Sequence, residues 1–89
     1  MSRHTSKRRR ARTDAEEDAR HDRAREALTA WRRAVPGRMT EIQARGDYTV
    51  LLYEGDQMHT PCARATAIDI ATATEDALAE HARRAAATG

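Results

Sequence analysis

Bulky side chains are scarce in this sequence, which has no phenylalanine, one tryptophan and two tyrosines. Apolar residues make up 39% of the chain, but most of them are alanine, which buries little area on folding. The 89 residues therefore suffice for one domain at most, and its hydrophobic core must be thin. Because a monomer with such a core would be marginally stable, we expect a homo-oligomer or a protein partner.

Cysteine is also nearly absent, since Cys62 is the single one and no disulfide can form within the chain. A small domain without a disulfide is typical of a reducing compartment, and we expect a cytoplasmic protein. Long apolar runs are missing as well, because the longest covers only Val50 to Tyr53. That run is too short for a signal peptide or a membrane span, so neither secretion nor a membrane partner is predicted.

Acidic residues are missing from the first twelve positions, which hold six basic residues. From Thr13 onward, 16 minus 6 leaves 10 basic residues against 14 acidic ones, so a segment of +6 precedes a body of −4. This division predicts a disordered basic arm over residues 1–12 and a single small α+β domain over residues 13–89. Clustered cations bind phosphates without reading sequence, so the arm is the candidate nucleic-acid-binding site. Its basic residues are Arg3, Lys7, Arg8, Arg9, Arg10 and Arg12.

Capping signals predict one helix at each end of the domain. Thr13 and Glu16 form a capping box, and Pro36-Gly37 ends the element, so the first helix is predicted over residues 13–35. Within it, apolar residues at helical spacing make Trp31 the principal core candidate. A second box, from Thr66 to Asp69, predicts the last helix over residues 66–86. Strand is the alternative at the start of that helix, because β-branched residues there weaken the helix preference.

Alternating residues between the helices predict β-strands. The Gly-Asp pair at residues 46–47 suits a two-residue hairpin turn, which would place Arg45 opposite Tyr48. A second Gly-Asp pair at residues 55–56 predicts another such turn, followed by a third strand over residues 57–60. Together the turns predict a three-stranded antiparallel meander.

The meander is predicted over residues 38–61, which makes the fold class α+β in the order α-β-β-β-α. Its central strand carries Val50 and Leu52 on one face and further apolar side chains on the other. We expect the helices to cover one face and a partner, such as a second copy, to touch the other. The predicted protein-interface residues are Leu51, Tyr53 and Met58.

Metal-binding and catalytic motifs are weak in this sequence. His59 and Cys62 form an H-x-x-C pair, and His81 is a further candidate ligand, but a structural zinc site requires four regularly spaced ligands. The same residues could resemble a thiol nucleophile and its base, yet no third orienting group can be identified. The sequence therefore predicts no metal, no cofactor and no enzyme, and Cys62 is interpreted as a small buried apolar residue.

The order α-β-β-β-α is shared with double-stranded RNA-binding domains, which present lysines at the start of their last helix. Here that helix is predicted to open with Ala67-Ile68-Asp69, whose charge would repel RNA, so this function is not assigned.

Composition and motifs together predict a non-enzymatic accessory or regulatory protein whose body binds protein and whose arm contacts nucleic acid. Arginine outnumbers lysine by fifteen to one, which is typical of GC-rich bacterial or phage genes. The alternative is a small inhibitor or antitoxin-like module that occludes a partner, with its acidic body against a basic surface. No small-molecule substrate is predicted.

Overall fold

The described residues form one antiparallel sheet with two helices on one of its faces. A computed structural model describes residues 14–55 and 59–88, so the predicted basic arm lies outside the described residues. The strands follow the order β1-β2-β3 across the sheet, and the predicted order α-β-β-β-α is confirmed. In chain order, the elements are α1 (Asp14–Ala34), β1 (Met39–Arg45), β2 (Asp47–Tyr53), β3 (Ala63–Ala67) and α2 (Ile70–Thr88).

Helix α1 agrees with its prediction to within one residue at each end. Its first turn carries acidic side chains and its last turn carries Arg32 and Arg33, an arrangement that suits the helix dipole. The helix ends before Pro36, and Gly37 follows with a φ of 89°, a left-handed conformation that favours glycine. The chain then turns directly into β1.

The first hairpin has a different register from the predicted one. Arg45 lies opposite Asp47, and Ala44 lies opposite Tyr48, so the predicted pairing of Arg45 with Tyr48 is wrong. Within this hairpin only Gly46 has a positive φ, of 84°, and the turn is built around this single left-handed residue. A shift of one residue exchanges the faces of a strand, and the observed register puts β1 side chains on the opposite face from the predicted one.

The predicted third strand over residues 57–60 is also wrong. The third strand is β3, which places Ala63 opposite Leu52 and Ala67 opposite Tyr48. His59 and Thr60 form a turn and a bend, whereas residues 57 and 58 lie outside the described residues. Alanine at alternate positions of β3 gives this strand small side chains on the helix side, where α2 can pack closely.

The last helix begins at Ile70 rather than at residue 66, so the predicted range of 66–86 is wrong at its start. Thr66 lies in β3, where its branched side chain is favoured. Asp69 supplies the cap instead, because its Oδ2 accepts a hydrogen bond of 2.9 Å from the Thr72 backbone N–H.

The Asp69 carboxylate also ties the two helices together. It accepts a hydrogen bond from Arg20 of α1, and His21 Nε2 lies 3.0 Å from Asp69 Oδ1. The hydrogen bond from Arg20 is the main reason that the pKa of Asp69 lies well below its usual range. One residue therefore both begins α2 and anchors α1.

The core lies between the sheet and the helices. Val50 and Leu52 are its largest fully buried side chains, and both point to the helix side of β2. Leu28 and Trp31 of α1 pack against this core from the side, with Trp31 only partly buried. Most of the remaining core side chains are small, being Ala63, Ala73 and Ala77. Within the described residues, neither helix is both long enough and apolar enough to cross a membrane.

Candidate functional site

A cluster of chemically active side chains lies where the ends of several elements meet. We call it the Glu54 cluster, after the carboxylate at its centre. Glu54 follows β2, Arg38 precedes β1, and Cys62 precedes β3, while one helix contributes an indole and the other an imidazole. The members of the Glu54 cluster are Trp31, Arg38, Glu54, Cys62 and His81.

The Glu54 carboxylate binds two cluster members through one oxygen. Arg38 Nε and Nη2 each lie 2.9 Å from Glu54 Oε2, and His81 Nε2 lies 3.3 Å from the same oxygen. Partial burial raises the pKa of Glu54, but the hydrogen bonds from Arg38 and His81 outweigh it, so the pKa lies below its usual value. Glu54 is therefore ionised at neutral pH, beside an arginine side chain that is only 12% exposed.

Trp31 holds the two basic members of the cluster in place. The Arg38 guanidinium lies 4.4 Å from the centre of the Trp31 ring, and its Nη1 donates a hydrogen bond of 2.9 Å to the Trp31 carbonyl. The rings of Trp31 and His81 meet edge to face at 5.2 Å, and Trp31 Nε1 donates to His81 Nδ1 at 3.2 Å.

The indole assigns the proton of His81. An indole N–H can only donate, so His81 Nδ1 must accept and carries no proton. The proton of the neutral imidazole is then on Nε2, which donates to Glu54. The hydrogen bonds run in one direction, from Trp31 through His81 to Glu54.

A cavity of about 280 Å³ opens beside this cluster. Cys62 lines it together with the polar members Arg38, Glu54 and His81, so the thiol lies close to them. The potential ligand atoms of Glu54, Cys62 and His81 lie within 4.8 Å of one another. The arrangement does not favour a metal ion, because a metal at His81 Nε2 would require the proton to move to Nδ1, against the Trp31 N–H. Arg38 also already neutralises Glu54.

The cluster also gives Cys62 the properties of an unreactive thiol. Burial raises the pKa of Cys62, and the negative charge of Glu54 raises it further. Since the thiolate is the reactive form, Cys62 is protonated at neutral pH and a poor nucleophile. The cluster thus joins five segments of the chain, and most of its polar groups are engaged in hydrogen bonds with one another.

We expect the Glu54→Gln variant to lower the pKa of Cys62, because it removes a negative charge that disfavours the thiolate. The measurement is the alkylation rate of Cys62 as a function of pH, with the thermal melt recorded to show that the variant is folded. The Glu41→Gln variant is the matched control, since Glu41 bonds to Tyr53 and belongs to another part of the sheet. An unchanged midpoint in the Glu54 variant would contradict the assigned charge effect.

Two of the predicted protein-interface residues, Leu51 and Tyr53, lie on the sheet face that no described helix covers, which we call the open face. Leu51 is at its centre but is only 7% exposed, between its cross-strand neighbours Glu41 and Arg64. Tyr53 is half-buried and donates a hydrogen bond of 3.0 Å to Glu41. Met58 and the six basic residues of the predicted arm lie outside the described residues. The interface assignment stays a prediction.

Sequence reasoning missed Arg38 and Glu54 altogether. These two residues are 16 positions apart, and no motif links them. It also missed Met39 and Ile42 in β1, which are 50% and 46% exposed. The available signal was Ile42, an apolar residue at the centre of a strand whose neighbouring residues are exposed. Whether such a residue is covered depends on which edge of the strand is paired, and the sequence alone does not determine that edge.

Comparisons of the chain with protein-family models, curated proteins and solved structures found no match.

Proposed function

We propose that this chain is a small non-enzymatic accessory or regulatory protein whose folded body binds protein and whose basic N-terminal segment contacts nucleic-acid phosphates. The observation that carries the proposal is the open face, a sheet surface without a described helix over it. Leu51 is at its centre, and Met39 and Tyr53 lie opposite each other at one end. Polar and charged residues of the three strands surround them. The exposed apolar surface comes from Met39, which is 50% exposed, and from the half-buried Tyr53, and apolar surface with a polar border is the usual composition of a protein interface.

The Glu54 cluster supports the non-enzymatic part of this proposal. The imidazole of His81 bonds at both nitrogens, to Trp31 and to Glu54. The thiol of Cys62 has a raised pKa, so the one potential nucleophile of the cluster is kept protonated.

A free thiol in a small domain also supports a reducing compartment, and we propose the cytoplasm.

The contact with nucleic acid is supported by the charge division of the sequence. Six basic residues without an acidic one occupy positions 1–12, ahead of a body whose net charge is −4. Such a segment attracts phosphates through counterion release, whereas an acidic body would be repelled by them. The sequence-independent contact therefore belongs to the N-terminal segment alone.

An electrophoretic mobility shift with duplex DNA at increasing salt tests this assignment. Six phosphate contacts predict a slope of log affinity against log salt of about −5. Replacing Arg8, Arg9 and Arg10 with glutamine should make the slope less steep by about 3, in proportion to the charges removed. Binding that does not depend on salt, or no binding, would exclude the nucleic-acid role.

The matched control removes the same number of charges from the body. Arg23, Arg32 and Arg33 are exposed residues of α1, and their replacement by glutamine should leave the slope unchanged. An equal loss of slope in this control would show that phosphate binding is spread over the body. Deleting residues 1–12 should abolish the shift but leave protein binding by the body intact.

A further inference from the structure

We propose that a second copy of this chain pairs with the outer edge of β1, so that two three-stranded sheets join into one sheet of six strands. The two copies are related by a two-fold axis that passes through Ile42. This inference rests on the proposed function, in which the body binds protein, and it names a second copy as the partner at the sheet edge beside the open face.

The outer edge of β1 is suited to strand pairing. β1 has seven residues, which pair with β2 without a bulge, and it contains no proline. Among the described residues, no strand pairs with its other side. Such an edge presents a row of free backbone donors and acceptors, which templates the addition of another strand.

The opposite edge of the sheet is less suited. β3 has only five residues and begins shortly after Pro61. The carbonyl of Cys62, just before this strand, already accepts a hydrogen bond of 2.8 Å from Arg84 Nη1. A short strand with an occupied end offers fewer backbone groups to a partner, so β1 is the edge for pairing.

The residue types of β1 favour antiparallel pairing with itself about Ile42. This register uses the whole strand and places no like charges opposite each other. A register centred on Glu41 would place two carboxylates opposite each other. A register centred on Gln43 would leave Met39 and Thr40 of each copy unpaired. The proposed pairs between the two copies are Ile42 with Ile42, Glu41 with Gln43, Thr40 with Ala44, and Met39 with Arg45.

Ile42 supplies the apolar contact at the centre. It lies opposite Val50 on the helix side of the sheet, yet 46% of its surface is exposed, because α1 packs mainly on α2 and touches β1 only sparsely. A cavity of about 100 Å³ beside Ile42 is lined also by Leu28 and Ile70. Ile42 of a second copy would cover this surface and remove apolar area from water in both copies.

The same register has a geometric consequence for the open face. Pairs of residues opposite each other share a face of the sheet, so the helices of both copies lie on one side. The two open faces then form one continuous surface on the other side. The contact is smaller than a standard interface, so we expect a dissociation constant on the order of 10 µM.

Sedimentation of the full chain tests the dimer. At concentrations well above the dissociation constant, the mass should be twice the 10.0 kDa of one chain. The Ile42→Arg variant should sediment as a single chain, because it places two cations opposite each other. The Ile68→Arg variant is the matched control and should remain a dimer, since Ile68 is 82% exposed and follows β3.

Two further variants test the register without disturbing an apolar contact. In the Gln43→Lys variant, the new lysine of each copy would lie opposite Glu41 of the other copy, so two pairs of opposite charge would form and the dimer should tighten about fivefold. The Gln43→Glu variant would instead place two carboxylates opposite each other at both positions and should weaken the dimer by a similar factor. The proposal would be overturned by a monomeric wild-type chain, by equal dissociation of the Ile42→Arg and Ile68→Arg dimers, or by the same effect from both Gln43 variants. A monomer that still binds DNA with the expected salt slope would overturn the dimer alone. A dimer without DNA binding would overturn the nucleic-acid role alone.

Discussion

Replacing Leu52 with alanine should remove about half or more of the free energy of unfolding of this domain. Leu52 is completely buried and is one of the two largest side chains of the core. Truncating such a residue costs about 2 to 5 kcal/mol, because transfer energy is lost and a cavity remains. A domain of this size has a total stability of only about 5 kcal/mol, so the loss approaches the whole. Thermal and urea melts followed by circular dichroism measure the effect.

The matched control for this experiment is the Ile68→Ala variant, which also truncates a large aliphatic side chain. Ile68 is 82% exposed, so its loss should change the free energy of unfolding by less than about 0.5 kcal/mol. If Leu52→Ala melted at the temperature of the wild type, the core would not lie between β2 and the helices. A large effect of the control would instead show that Ile68 is covered in solution.

Replacing Trp31 with alanine should destabilise the domain by about 3 kcal/mol. The change removes the ring on which Arg38 stacks, and it leaves His81 Nδ1 without its donor. The Arg38 side chain, only 12% exposed, would then lose a favourable contact on one side. Urea unfolding of the variant measures the loss.

The Trp31→Phe variant separates the ring from its N–H group. It retains an aromatic face for Arg38 but removes the hydrogen bond to His81, so the expected cost is about 1 kcal/mol. Nitrogen NMR of His81 should show the proton on Nε2 in the wild type and a mixture of ring forms in this variant. Equal destabilisation by phenylalanine and alanine would mean that the hydrogen bond, and not the ring, stabilises the cluster.

The proposed dimer and the proposed nucleic-acid contact reinforce each other. Each copy contributes one segment with six basic residues, so a dimer presents two of them to the same duplex. Binding of the second segment then occurs at a raised effective concentration, which increases avidity without any new contact. The Ile42→Arg variant should therefore also weaken DNA binding, although Ile42 itself carries no charge and touches no phosphate.

The first helix was predictable from local signals, whereas the third strand was not. The acidic first turn and the Pro36-Gly37 stop act over a few residues, and α1 follows them closely. The pair at residues 55–56 gave an equally clear turn signal, but the chain continues through a longer connection before β3. Alanine carries little strand preference, so its alternation in β3 was a weak pattern until the packing of α2 gave it meaning.

The Glu54 cluster was beyond the reach of the sequence for a different reason. Its members come from five separate segments, and only the strand register brings Arg38 next to Glu54 and His81. The interpretation of Cys62 as a small buried residue agrees in part with its half-buried position. Its chemical state, however, depends on the charge of Glu54, which is eight positions away in the sequence.

The amino-acid sequence by itself determined the order of the elements, the alanine-rich core and the separation of charge between the N-terminal segment and the body. These follow from local preference and composition, which act within a few residues. Only the tertiary structure decided where the third strand lies, which edge of β1 is unpaired and how Glu54, His81 and Cys62 meet. These features depend on strand register, and register is set by the simultaneous packing of side chains that are distant in the chain.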